Sequence, residues 1–135
     1  MESGASKLYD ETLRVLKENQ TIEVLYEVHH PCQSGFQHGC QLHGYVDGLF
    51  LQQLQGQGPP FVYENRFEIE YFHLVPDNTK LRFLYRQAGI RPYPRQGVVS
   101  FEYRVDVTDQ EDPVMLYFTA TFKGSGPAEN LRRNR

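Results

Sequence analysis

The sequence predicts an α+β domain in which a curved antiparallel sheet wraps around one long central helix. Two observations carry that expectation. Leu42, Val46, Leu49, Phe50 and Leu54 recur at helical spacing, which marks a single buried stripe. Beyond the breaker Gly56-Gln-Gly-Pro-Pro60 the helical period does not return, and stretches rich in Tyr, Phe, Val and Ile alternate with turns. Strands that follow one another without a crossover helix favour antiparallel pairing. At 135 residues the chain suits one domain with a single core.

The elements follow in order. Residues 1–5 predict a flexible lead-in, residues 6–123 the folded domain, and residues 124–135 a flexible polar tail. Ser6 is placed to cap an extra N-terminal helix running to about Gln20, with Leu8, Leu13 and Leu16 on one face. Asp10 and Glu11 sit in its first turn, where carboxylates suit the helix dipole. Thr21–Val28 reads as a strand, with Ile22, Val24, Tyr26 and Val28 facing one way, and Pro31 breaks it. The turn-rich stretch 32–37 then leads into the central helix. Gly44 and Gly48 each weaken that helix by about 1 kcal/mol relative to alanine, a cost explained by a close approach of the sheet backbone.

After the breaker, Phe61–Phe72 reads as a strand in which Phe67, Ile69 and Tyr71 alternate with Arg66, Glu68 and Glu70. Val75–Thr79 is a turn, Lys80–Arg86 a strand, and Gln87–Gln96 a loop carrying Gly89, Pro92 and Pro94. Gly97–Thr108 and Val114–Lys123 are the last two strands, joined by the turn Asp109–Pro113. An open sheet edge and outer face predict a homodimer or a dimer of dimers.

Composition narrows the partners. A net charge of −3 leaves no global basic footprint for nucleic acid. No apolar run reaches the length of a membrane span, and the opening MESGASKLYDE lacks the layout of a secretory signal. Cys32 and Cys40 are too few for a disulfide framework, so a cytoplasmic, reducing setting is expected. His29, His30, Cys32, His38, Cys40 and His43 make zinc a rival. The spacings C-x-x-C and H-E-x-x-H are absent, and the set is divided between a strand and a helix, so no metal is predicted.

The chemistry gathers at the start of the central helix. Gly39 stands just before the apolar stripe, so its N–H faces the positive end of the helix, which favours a developing oxyanion. Asp47 falls at the edge of the stripe, one turn after His43, where a half-buried carboxylate is costly for a purely structural residue. Together they point to acyl transfer. The bland alternative is a rim carboxylate that contacts His43. Lys80, Arg82, Arg86, Arg91 and Arg95 form the one local excess of positive charge, with Lys80, Arg82 and Arg86 on one face. Guanidinium groups suit phosphates, and coenzyme A or a phosphopantetheine carrier is the fitting partner.

The run Gly35-Phe-Gln-His-Gly-Cys-Gln-Leu-His-Gly-Tyr-Val-Asp47 resembles the motif of the hotdog-fold thioesterases, and is most similar to their PaaI-like group of acyl-CoA thioesterases. That motif runs Asn, a Gly three residues on, His-Gly-Gly, then Asp. Gly35, His38, Gly39 and Asp47 match it, while Cys32 stands at the Asn position and Cys40 at the third position of His-Gly-Gly. The strand Phe67–Pro76 is similar to the family's strand after the helix. The resemblance spans about residues 21–123 as architecture.

The resemblance implies a single hotdog domain that hydrolyses an acyl thioester of coenzyme A or of a carrier protein, with coenzyme A as part of the substrate and no separate cofactor. It implies that the Gly39 N–H polarises the carbonyl, that Asp47 of the partner subunit acts as base or nucleophile, and that His38 supports the loop. With Cys32 in place of the Asn, Gln33 is the remaining nearby amide, and the family's later polar helper falls at Glu64 or Asn65. Two rivals remain open: a hotdog dehydratase or hydratase using His43 and Asp47, and an acyl-thioester-binding protein that lost turnover with the Asn.

Overall fold

Helix α1 (Gly4–Glu18) opens the fold, two residues before the cap that Ser6 was expected to provide. The computed structural model describes residues 4–28, 36–37, 39–56, 58, 60–64 and 69–133. The helix buries Thr12, Val15 and Leu16, with Leu13 half-buried beside them. Thr12 avoids a stranded hydroxyl by donating to the Leu8 carbonyl at 2.7 Å. The helix stops where Asn19 turns back, its N–H on the Leu16 carbonyl and its side-chain amide on that of Val15.

Strand β1 (Thr21–Glu27) follows, with Ile22 and Val24 inward as its alternation predicts. Two residues, Phe36–Gln37, form β2, and the central helix α2 spans Gly39–Gln55. Past it come β3 (Val62–Glu64), β4 (Ile69–Tyr71) and β5 (Val75–Pro76). Three long strands complete the sheet: β6 (Lys80–Tyr93), β7 (Val98–Asp109) and β8 (Leu116–Gly126). Helix α3 (Ala128–Arg133) closes the described chain. Among the described residues the sheet runs β1-β6-β7-β8-β3, with β4 also on β8, and each of these pairings is antiparallel. A separate two-residue ladder joins β2 to β5.

The inward face of this sheet carries Leu81, Phe83 and Tyr85 from β6, Phe101, Tyr103, Val105 and Val107 from β7, and Phe118, Ala120 and Phe122 from β8. Helix α2 lays Val46, Phe50 and Leu54 on that surface, three of the five residues in the predicted stripe. Leu49 is half-buried, and Leu42 belongs to the first turns, where only the backbone is described. Phe50 sits at the centre. Its ring stacks on Tyr85 with centroids 4.0 Å apart and meets Tyr103 and Phe122 edge-on, each at 4.9 Å. The helix ends at Gly56, whose left-handed φ of 49° lets its N–H reach the Gln52 carbonyl at 2.9 Å.

Three expectations are corrected. The segment 87–93, expected as a loop, continues β6 through a bulge between Gln87 and Gly89, and only 94–97 turn. Strand β1 ends its pairing at Thr21 opposite Arg86, and past the Gln87 N–H, which still reaches the Gln20 carbonyl, β6 has a strand neighbour on one side only among the described residues. Pro92 is tolerated in such a setting, because a missing N–H on the free side breaks no ladder bond. Second, the tail expected from Gly124 is structured: β8 runs to Gly126 and α3 follows. Ser125 and Asn130 are buried, the latter donating to the Gly97 carbonyl at 2.8 Å. Polar composition concealed this because Ser125 and Asn130 find partners far away in sequence, on Ser100 and Gly97. Third, Gly48 is exposed and a Cβ there would meet nothing within 4 Å, so among the described residues the sheet does not approach it.

Candidate active site

A residue at the flank of a helix stripe can face the core or the rim, and the sequence placed Asp47 half-buried at the rim. The structure places it inside. Asp47 is 1% exposed, between Val46 and Phe50 on the face of α2 that meets the sheet. A carboxylate taken out of water needs donors, and Tyr85 supplies one, its hydroxyl donating to Asp47 Oδ1 at 2.6 Å. That length is in the range for an O–H group donating to a carboxylate. Tyr85 is itself fully buried, seated on β6 between Ile22 of β1 and Val105 of β7. Its ring is fixed by the stack on Phe50, one helical turn from Asp47.

Tyr85 is the residue that sequence reasoning missed as a partner. An aromatic residue in an alternating strand reads as core. The available signal was its hydroxyl, because Leu81, Phe83 and Tyr85 share the inner face of β6 and only the last can donate. Nearby, Tyr103 plays a different part. Its hydroxyl donates to the Asn19 carbonyl at 2.6 Å and accepts from Gln87 Nε2 at 3.1 Å, while the same Gln87 nitrogen donates to the Leu16 carbonyl. These bonds tie the end of α1 to the sheet. Burial pushes the Tyr103 phenol up to about 12.

The remaining sequence candidates separate. Gly39 is the first residue of α2, a position whose N–H has no acceptor within a helix. Gln33, His38 and Asn65 lie outside the described residues, and of Glu64 only the backbone in β3 is described. The zinc candidates His29, His30 and Cys32 also lie outside them, as do the side chains of Cys40 and His43. Arg82 and Arg86 are engaged on the outer sheet face, Arg82 Nε with Glu23 at 2.6 Å and Arg86 Nη1 with Asp106 at 3.0 Å. Arg91 and Arg95 are exposed, and among the described residues neither forms an ion pair. Arg91 lines an outer-face cleft of about 400 Å³ together with Gly89, Tyr93, Ser100, Glu102 and Lys123.

No family model matches the sequence, and no curated protein matches it. Solved structures do. A Streptococcus mutans protein bound to acetyl-CoA is 18% identical, with a TM-score of 0.59 over 78% of this chain and 79% of that one. A variant of the phenylacetic acid degradation protein PaaI from Thermus thermophilus is 19% identical, with a TM-score of 0.59 over 78% and 84%. Thioesterase superfamily member 2 from Mus musculus is 14% identical, with a TM-score of 0.60 over 79% and 81%. The fold is the hotdog fold. Within it α2 is the central helix, and Asp47 lies on the side of that helix facing the chain's own sheet. No described helix of this hotdog domain is long and apolar enough to cross a membrane.

Proposed function

We propose that this hotdog domain hydrolyses an acyl thioester, with Asp47 as the general base that activates water and the Gly39 N–H as the oxyanion donor. The observation that carries the reading is the buried carboxylate on the central helix, held at 2.6 Å by Tyr85 in a fold shared with solved thioesterases. Its burial favours a base over a nucleophile. A base needs one water within hydrogen-bond reach, whereas a nucleophile must itself touch the thioester carbon. A base contributes about 10²–10⁴-fold and one oxyanion donor roughly 3 kcal/mol, enough together for a modest hydrolase.

Helix geometry supports a homodimer. Asp47 is eight residues after Gly39 on the same helix, a rise of about 12 Å at 1.5 Å per residue. Two groups that far apart do not both reach one carbonyl, so a site using both would draw on two copies of the chain, with a path to the buried Asp47 opening between α2 and the sheet. Coenzyme A is the proposed carrier, in keeping with the acetyl-CoA held by the Streptococcus mutans protein of the same fold. Its phosphates are assigned to Arg91 and Arg95, since Arg82 and Arg86 already hold carboxylates.

A second reading has its own support. An Asp47 that is 1% exposed and bonded to Tyr85 also fits a core pair in a protein that binds an acyl thioester without turning it over. Thiol release from short, long and aromatic acyl-CoAs, with wild type beside Asp47→Asn, separates the two. The hydrolase reading expects turnover in wild type and a loss of about a hundredfold or more in the folded variant. Binding without thiol release, unchanged by Asp47→Asn, favours the second.

A further inference from the structure

The Asp47–Tyr85 pair is expensive for a core. Replacing a buried polar pair by apolar groups of the same shape is often neutral or stabilising. Phenylalanine at position 85 would fill the same space, keep the stack on Phe50 and bring no hydroxyl into the interior. Phe83, two residues earlier on the same inward face, shows that this strand accepts it. What the hydroxyl adds is direction. Tyr85 has strand partners on both sides, Ile22 and Val105, and its ring lies 8° from parallel with that of Phe50. Phe50 is in turn wedged between Tyr103 and Phe122. The donor that meets Asp47 Oδ1 is therefore mounted on the middle of the sheet, 38 residues away in sequence, and has little freedom to follow a carboxylate that rotates.

We propose that Tyr85 is a positioning residue for Asp47: its hydroxyl helps hold the carboxylate in an orientation from which it can take a proton from water. The inference rests on the hydrolase reading above. A base misplaced by about 1 Å can lose on the order of a hundredfold in rate, so an oriented carboxylate outperforms a free one even though both are present. Tyr85 touches neither substrate nor water in this scheme and acts through Asp47 alone.

The test is steady-state thiol release from an acyl-CoA that wild type turns over, using Tyr85→Phe, Asp47→Asn and the double variant, each checked for folding by near-ultraviolet circular dichroism. Tyr85→Phe keeps ring volume and stack and removes one oxygen. The expected result is a fall in kcat of about 10- to 100-fold with KM within about threefold, because substrate contacts are untouched. The double variant should be no slower than Asp47→Asn alone, since nothing remains to be positioned. A Tyr85→Phe enzyme that keeps kcat within about twofold, or losses that multiply in the double variant, overturns the positioning role while leaving the hydrolase reading in place. An Asp47→Asn enzyme as active as wild type sinks the hydrolase reading itself, and the positioning role with it.

Discussion

Phe50 is the residue through which the central helix is seated, and its removal has a calculable cost. Phe50→Ala deletes a fully buried ring that stacks on Tyr85 and meets Tyr103 and Phe122 edge-on. Phenylalanine-to-alanine changes in cores cost about 3–5 kcal/mol. Aromatic pairs add about 0.5–1.5 kcal/mol each beyond the area they bury, so three of them place this site in the upper half of that range. A domain of this size is stable by about 5–15 kcal/mol, so the variant should fold, with much of its reserve gone. Urea denaturation followed by far-ultraviolet circular dichroism, at fixed protein concentration, is the assay. With a slope near about 2 kcal/mol per molar, a loss of about 4 kcal/mol lowers the midpoint by about 2 M. Leu49→Ala, one position earlier on the same helix and half-buried, is the control and should move it by well under half as much. Equal shifts in the two variants at unchanged slope would refute the seating of α2 through Phe50.

Two further outcomes test other parts of the account. Gly48→Ala should stabilise by about 1 kcal/mol, a rise in Tm of about 3–5 °C by scanning calorimetry, because the added methyl meets nothing within 4 Å and alanine is the better helix former. A fall in Tm that deepens on dilution would instead place a second copy against that face of α2. For Tyr103, the unfolded phenol titrates near 10 and the folded one at about 12, so between those pH values the unfolded chain has lost a proton that the native state keeps. Stability from this group is complete below pH 10 and falls by about 1.4 kcal/mol per unit as pH rises towards 12. Denaturation midpoints measured over that range should slope down more steeply for wild type than for Tyr103→Phe, and equal slopes would contradict the assignment.

The parts of this fold that could be read in advance are those where periodicity reports burial. Val46, Phe50 and Leu54 face the sheet because a helix must place every third or fourth residue on one side. Ile22 and Val24 face inward because a strand alternates. The same rule put Arg82 and Arg86 together on the outer face, but it carries no information about who sits opposite. Glu23 and Asp106 come from other strands, and only the register of β6 against its neighbours brings them within reach. Composition misled at Gly89 and Pro92, which are loop residues by habit and strand residues here because β6 outruns its partner. It misled again at Ser125 and Asn130, buried polar residues that bond to Ser100 and to the Gly97 carbonyl, partners 25 and 33 residues away that composition does not reveal. Position alone marked Asp47 as out of place, and the reason it is tolerated lay 38 residues away in a side chain with no local signature.

The stretch of β6 that runs past β1 has a consequence for self-association. From Ala88 to Tyr93 one side of the strand has no neighbour among the described residues, and such an edge is a template on which a foreign strand can add. Here the template is spoiled in several ways at once. A bulge twists its start, Pro92 deletes an amide, and Arg91 charges its middle, with Arg95 just beyond its end. The features that disguised this segment as a loop are the ones that make its open edge a poor template for another strand.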